Sequence, residues 1–199
     1  MKTEKIYLTR HGEISNNGEK RYIGQIDLTL NDNGWKQAAC LRDALARVPL
    51  GTVICSDLIR SVATAGIICE KHALKPVVRK ELREIDMGLW DGLTFQEVRR
   101  SYSGEFEKRG ADILNYKPPG GESFAQCAGR VMPVLDAIVK AARGNILIVG
   151  HAGINRIIIS RALGLPLEYM FRIKQDYGCL NILLPSEHGW QVEALNLTF

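Results

Sequence analysis

Long apolar runs are missing from this chain. No stretch approaches the ~18 consecutive apolar residues that a bilayer crossing needs, and the first residues lack the apolar segment of an export signal, so a soluble, cytoplasmic protein is expected. Cysteine is sparse and unpatterned. The five, at positions 40, 55, 69, 127 and 179, make an odd count without a C-x-x-C pair, which argues against a disulfide framework. Cys55 and Cys69 lie in apolar runs, and the set reads as buried reduced thiols. The acidic residues form no hard-metal cluster, and the four histidines show no H-E-x-x-H spacing, so neither a metal nor another cofactor is expected. The net charge is only +4, with basic residues dispersed rather than gathered with aromatics, so no nucleic-acid partner is expected either. No repeat, low-complexity tract or linker divides the 199 residues. Length alone permits two domains, but the chain reads as one, 1–199. Oligomeric state is not legible, because surface and core apolar positions look alike in a sequence.

What is present is a design used more than once. Ile6-Tyr7-Leu8 reads as a short strand that delivers Arg10 and His11 into a turn at Gly12. Ile146-Leu147-Ile148-Val149 is too short for a helix and rich in β-branched residues, so it reads as a buried central strand. It ends in Gly150-His151-Ala152-Gly153. Between them Val53-Ile54-Cys55-Ser56 forms a third strand, with Arg60 early in the helix that follows. Strand ends of open α/β sheets are where ligands bind. Arg10, His11, Arg60 and His151 converge on one point if these strands are neighbours. An arginine fork matches phosphate oxygens, and a histidine beside a cation keeps a nucleophilic nitrogen. His72 and His188 sit at no strand end and read as ordinary surface or core residues.

The remaining pattern alternates helices and strands. Thr29 or Asn31 can cap a helix carrying Trp35, Ala38, Leu41 and Leu45, and Leu58 to Lys71 forms a second helix. Val77 to Arg79 reads as a strand and Thr94 to Arg100 as a short helix. The stretch 101–121, with its glycines, charges and Pro118-Pro119, reads as an irregular lid over the pocket, part of a lid-like segment at about 86–121. Ser123 with Gln126 signals a capping box, Ile154 to Leu163 a last helix, and Leu180 to Leu184 and Trp190 to Ala194 two final strands. Such alternation implies an α/β protein with a mostly parallel central sheet, covered on both faces and carrying an antiparallel edge at its end.

Four spaced segments resemble the histidine phosphatase (phosphoglycerate mutase-like) superfamily: Leu8-Thr9-Arg10-His11-Gly12-Glu13, Ser56-Asp57-Leu58 with Arg60-Ser61 and Thr64-Ala65, Leu82-Arg83-Glu84 with Gly88, Trp90 and Gly92, and Gly150-His151-Ala152-Gly153. The resemblance spans nearly the whole chain in the family's order. It implies a three-layer α/β/α sandwich and a phosphomonoesterase without metal. It further implies that His11 is phosphorylated, that Arg10, Arg60 and His151 hold the phosphoryl group, and that Glu84 handles the leaving group's proton. Asn17 and Gly24 resemble positions that touch the phosphate; as bare residues, Asn and Gly could equally just shape a loop. The acid role calls for a carboxyl kept protonated by burial beside Met87, Leu89 and Trp90.

The mutase branch characteristically carries an arginine, a tyrosine and a lysine where this chain has Ile85, Met87 and Phe95, so a phosphatase is expected rather than a mutase. Gln175-Asp176-Tyr177-Gly178-Cys179-Leu180 and the short lid resemble the α-ribazole 5′-phosphate phosphatases of cobalamin biosynthesis, and Met87, Trp90 and Phe95 would suit an aromatic leaving group. A phosphatase of sugar phosphates or other small phosphomonoesters is the nearest rival. A non-catalytic phospholigand-binding adaptor on the same fold would tolerate loss of the nucleophile or acid, yet all five chemical positions are intact here.

Overall fold

The computed structural model describes residues 3–15, 19–186 and 189–199. Asn17 and His188 lie outside them. The chain opens with β1 (Thr3–Arg10), then α1 (Asp32–Leu45), β2 (Leu50–Cys55), α2 (Ile59–Cys69) and β3 (Val77–Val78). Two 3₁₀ turns follow, then α3 (Phe95–Ser101), α4 (Glu105–Ala111), α5 (Phe124–Ala141), β4 (Gly144–Gly150), α6 (Ala152–Leu163), a third 3₁₀ segment, β5 (Leu180–Ser186) and β6 (Gly189–Leu197). Among the described residues six strands form one sheet in the order β3-β2-β4-β1-β5-β6. The first four are parallel, while β5 and β6 are antiparallel additions at one edge.

The central strands read as continuous apolar runs because both faces are covered. Ile6, Leu8, Ile54, Ile146 and Ile148 pack beneath Val131, Leu135 and Ile138 of α5 and Ile154, Ile157 and Ile158 of α6. The alternate residues Val53, Cys55, Leu147 and Val149 pack on the other face against Leu41 and Leu45 of α1 and Ala65, Ile68 and Cys69 of α2. The result is the three-layer α/β/α sandwich expected from the alternation. Each such fully buried aliphatic side chain contributes roughly 1.5–3 kcal/mol of transfer free energy.

Helix ends follow local chemistry. Asn31, not Thr29, caps α1 by accepting from Gly34 N at 2.8 Å. Thr94 and Ser123 each close a capping box, with Glu97 and Gln126 respectively. The stretch 101–121 is not irregular as expected: it contains α4, and Tyr102, Phe106, Ile113, Leu114 and Tyr116 pack against the main core. Glu107 and Lys108 are exposed on a two-turn helix, a pattern too short to separate from a loop by periodicity. Of the cysteines, Cys55, Cys69, Cys127 and Cys179 are buried free thiols, but Cys40 is exposed on α1. Burial pushes the Cys55 thiol up to about 12, so it is chemically inert at neutral pH.

Glycine at two positions lets the first motif lie directly on α1. A Cβ at Gly12 would collide with the Gly34 carbonyl oxygen, and one at Gly34 with the Glu13 carbonyl oxygen. Backbone meets backbone there, so nothing flexible can yield. Gly34→Ala is expected to cost at least ~1–3 kcal/mol in urea unfolding, whereas Gly66→Ala, on an exposed stretch of α2 with open space around it, should be neutral or gain up to ~1 kcal/mol. Equal effects at the two sites would contradict this packing.

Candidate active site

The sheet order creates the site. After β1 the chain crosses to α1 on one face, and after the neighbouring β4 it turns into α6 on the opposite face. Adjacent parallel strands that send their chains to opposite faces leave a crevice at their carboxyl ends. Arg10 and Gly150 are register partners at that end, so the next residues, His11 and His151, emerge side by side with ring centroids 5.1 Å apart. His11 N donates to Gly150 O at 3.1 Å, tying the two strand ends together. Strand β2, on the far side of β4, contributes Ser56, whose hydroxyl lies 2.8 Å from His151 Nε2.

The structure therefore brings Arg10, His11, Arg60, Glu84 and His151 together. His11 and His151 are buried, and Arg60, 1% exposed, is one of the largest fully buried side chains. His11 Nδ1 lies 2.7 Å from Gly12 O. A carbonyl only accepts, so Nδ1 carries the proton and Nε2 keeps its lone pair. Arg60 donates to Gly24 O at 2.6 Å and Ile26 O at 2.8 Å. Arg10 donates from Nη1 to Gln175 O at 2.8 Å, and its guanidinium lies flat on Tyr177, 3.6 Å from the ring centroid. Each arginine fork is thus fixed by main-chain carbonyls, with charge to spare.

Three buried nitrogens around His11 have no partner among the described residues: the donors Arg10 Nε and Arg60 Nε, and His151 Nδ1. An unsatisfied buried polar group costs ~1–3 kcal/mol, so three in one place mark a site built for a ligand rich in acceptors. Burial first, then the Arg10 and Arg60 charges, holds the His11 imidazole well below the ordinary histidine range. Burial again dominates at His151, followed by His11, Arg60, Arg10 and Arg130, in the same direction. Without an anion both rings are neutral. The protonated His151 that would oppose a phosphate dianion therefore needs the dianion itself to bring its proton in.

Glu84 is 7% exposed. Its Oε2 accepts from Gly153 N and its Oε1 from Ile85 N, both at 2.9 Å, which aims the carboxyl at the first turn of α6. Arg130 anchors the segment from below, donating to the carbonyls of Glu81 and Arg83 and pairing with Glu122. Arg83 forms a bidentate pair with Asp57, 2.6 Å in each arm, joining the acid-bearing loop to the segment that leads to Arg60.

Several expectations are corrected. Gly24 adjoins the site, but its N–H is spent on Asp91 Oδ1 at 2.7 Å and its carbonyl on Arg60; it holds Arg60 rather than offering a free donor to phosphate. Trp90 and Met87 are core residues, 0% and 3% exposed, and Leu89 faces solvent at 64%. They do not wall the pocket as an apolar lining. Phe95 packs at a tilt against Tyr22, with ring centroids 4.4 Å apart. The interleaved spacing of Trp90 and Gly92 hid the residue between them: Asp91 accepts three successive amides, from Gly24, Gln25 and Ile26, all at 2.7 Å. Three consecutive N–H groups on one carboxylate fix the loop whose carbonyls orient Arg60. Nothing in local sequence distinguishes Asp91 from a surface aspartate. Ser56, Gln175 and Tyr177 were likewise visible only as members of motifs.

The profile described as histidine phosphatase superfamily (branch 1) matches residues 6–198. A Mycobacterium tuberculosis protein described as bifunctional is 32% identical over 180 residues, 89% of this chain and 49% of that protein, so the chain spans about half the length of this relative. Phosphoserine phosphatase 1 of Hydrogenobacter thermophilus is 29% identical over 195 residues, covering 98% of this chain and 92% of its own. The crystal structure of the α-ribazole phosphatase of Shigella flexneri superposes with a TM-score of 0.90 at 27% identity, covering 97% and 96% of the two chains.

The two buried neutral histidines make stability depend on pH. In the unfolded chain each binds a proton near pH 6.5; in the folded chain each resists it to a much lower pH. Below ~6.5 the unfolded state holds more protons, so stability falls with falling pH by about 1.4 kcal/mol per unit for each histidine until its folded pKa is reached. Urea unfolding between pH 7 and pH 5 should show this slope, and His151→Asn should reduce it. A flat profile in wild type would contradict burial of neutral imidazoles.

Proposed function

We propose that this chain, which belongs to the histidine phosphatase superfamily (branch 1), is a phosphomonoesterase that works through a phosphohistidine at His11. The observation that carries the proposal is the trio of unpartnered buried nitrogens, Arg10 Nε, Arg60 Nε and His151 Nδ1, around a histidine pinned through Nδ1. A monoester dianion supplies the acceptors they lack. The Nε2 lone pair of His11 attacks phosphorus in line, the P–O bond to the alcohol breaks, and Glu84 gives its proton to the departing oxygen. In the second half Glu84 takes a proton from water as that water attacks the phosphohistidine, releasing inorganic phosphate and free His11. The arginines are positioned in advance, so stabilising charge on the equatorial oxygens needs little reorganisation. Every step uses groups of the chain, and no metal is required in the proposed cycle.

Two readings of the ester are supported by different observations. The Gln175–Leu180 stretch and the Shigella neighbour favour α-ribazole 5′-phosphate. Small sugar phosphates or phosphorylated acids are the second reading, of the kind named for the Hydrogenobacter relative; it is favoured by the enclosure of Met87 and Trp90 in the core, which removes two of the three apolar contacts an aromatic leaving group would use. The stretch 86–121, with α3 and α4, is proposed as the lid over this side.

His11→Ala should abolish phosphate release, and a chelator should leave wild-type turnover intact. Glu84→Gln should lose ~100-fold or more on alkyl phosphates, with a far smaller loss on p-nitrophenyl phosphate, whose leaving group needs no proton. Steady-state kcat on the two ester types checks this. Equal losses would remove Glu84 from the acid role, and metal-dependent turnover would overturn the mechanism.

A further inference from the structure

Two arginines near the leaving-group side are unused by the chemistry above. Arg156, on the second turn of α6, donates from Nε to Ile173 O at 2.9 Å, and its terminal nitrogens have no partner among the described residues. Its guanidinium carbon lies 5.2 Å from the Phe171 ring centroid. Burial lowers its pKa, and the Glu84 carboxylate, opposing that, and Arg10, adding to it, are both close enough to act on it. Arg109, on α4, makes no hydrogen bond or ion pair among the described residues. It rests between the Tyr22 ring at 5.3 Å and the Phe124 ring at 5.9 Å, where burial lowers its pKa as well. Glu105, one turn earlier on α4, is engaged by Lys108 and Tyr116 instead.

These two guanidiniums flank one aromatic pair. Phe124 and Phe171 meet edge-on at 5.5 Å, with Arg109 on the first ring and Arg156 on the second. The pair borders the acid: a Cβ built at Gly153, whose N–H holds Glu84, would collide with Glu84 Oε1 and stand 3.2 Å from Phe124 Cε1. Partly desolvated charges are normally paired. Cation–π contact with a ring supplies no hydrogen-bond acceptor, so the fork donors stay open to solvent or to an anionic ligand.

We propose that Arg109 and Arg156 form an anion subsite for the leaving group, selecting phosphate monoesters whose alcohol portion carries a second acidic group, a carboxylate or another phosphate. The inference rests on the phosphomonoesterase reading and selects the acid-bearing class within it. An arginine fork matches both anions in bidentate geometry, and the apolar rings beside it lower the local dielectric, which strengthens the attraction. A neutral leaving group would leave both forks unpaired. At Ile85, Met87 and Phe95 this chain lacks the polar side chains with which mutases are built, so the cationic function is here supplied from α4 and α6.

The test is kcat/KM on four esters, with His11→Ala as the control: O-phosphoserine for a carboxylate, fructose 1,6-bisphosphate for a second phosphate, and α-ribazole 5′-phosphate and p-nitrophenyl phosphate for neither. Wild type should favour at least one acid-bearing ester over both neutral ones by ~10-fold or more. Arg109→Gln and Arg156→Gln should each lower that ratio by ~10-fold, the Lys variants should restore part of it, and thermal midpoints will show which variants are folded. The arm that prefers phosphoserine or the bisphosphate identifies the anion. His11-dependent hydrolysis with α-ribazole 5′-phosphate preferred, or variants that lose all esters in parallel, would overturn the subsite and leave the phosphatase standing. Absence of His11-dependent turnover on every ester would overturn both.

Discussion

The structure depends on holding cationic donors against neutral imidazoles at one strand end. Arg60 is almost wholly buried, His11 and His151 are buried beside it, and Arg10 is clamped against Tyr177. Like charges and desolvation both oppose this arrangement. It persists because the main chain meets the cost: Gly24 and Ile26 carbonyls accept from Arg60, Gln175 from Arg10 and Gly12 from His11. Keeping the histidines neutral limits the positive charge that must be buried, and leaves His11 the Nε2 lone pair that the proposed mechanism uses.

Those carbonyls must themselves be held, and much of the surrounding architecture does this. Asp91 gathers three amides of the 24–26 loop, while Asp27 in the same loop accepts from Ile59 N at the start of α2, the helix that carries Arg60. Gln175 belongs to a buried amide network with Asn155 and Asn181, and Asn181 reaches back to Leu8 O of β1 at 2.9 Å. Arg130, Glu122, Arg83 and Asp57 brace the Glu84 loop. Networks of this kind restrict the side chains to one geometry, although Asn155 Oδ1 has no partner among the described residues. Phosphoryl transfer gains from that, since pre-positioned charge needs little rearrangement when the transition state forms.

In the proposed reading, selectivity is governed by a different part of the molecule. The phosphoryl-facing groups come from β1, α2 and β4 and their immediate extensions, which the sheet makes rigid. The proposed leaving-group side is bounded by Phe124, Phe171 and the arginines on α4 and α6, from segments far apart in the chain. Chemistry and substrate choice are thus carried by separable elements, and variation in α4 can alter the ester accepted without disturbing the phosphoryl pocket.

Strand and helix order, the two-sided burial of the sheet, most helix starts and the convergence of Arg10, His11, Arg60 and His151 were legible in the chain itself, while Glu84 was singled out only by the family resemblance. Their signals are local: apolar runs bounded by glycine, capping residues, and reactive side chains at strand ends. The 101–121 stretch was misread because two helical turns among charges carry too little periodicity. Met87 and Trp90 were misplaced because an apolar residue next to an acid can face either core or pocket, and the sequence holds no information on which. Asp91, Gln175, Tyr177 and the free forks of Arg109 and Arg156 depend on contacts between segments tens of residues apart. The sequence alone determined which groups could do phosphoryl chemistry; tertiary structure decided which donors are left unpaired, because satisfaction of a buried polar group is a property of everything packed around it.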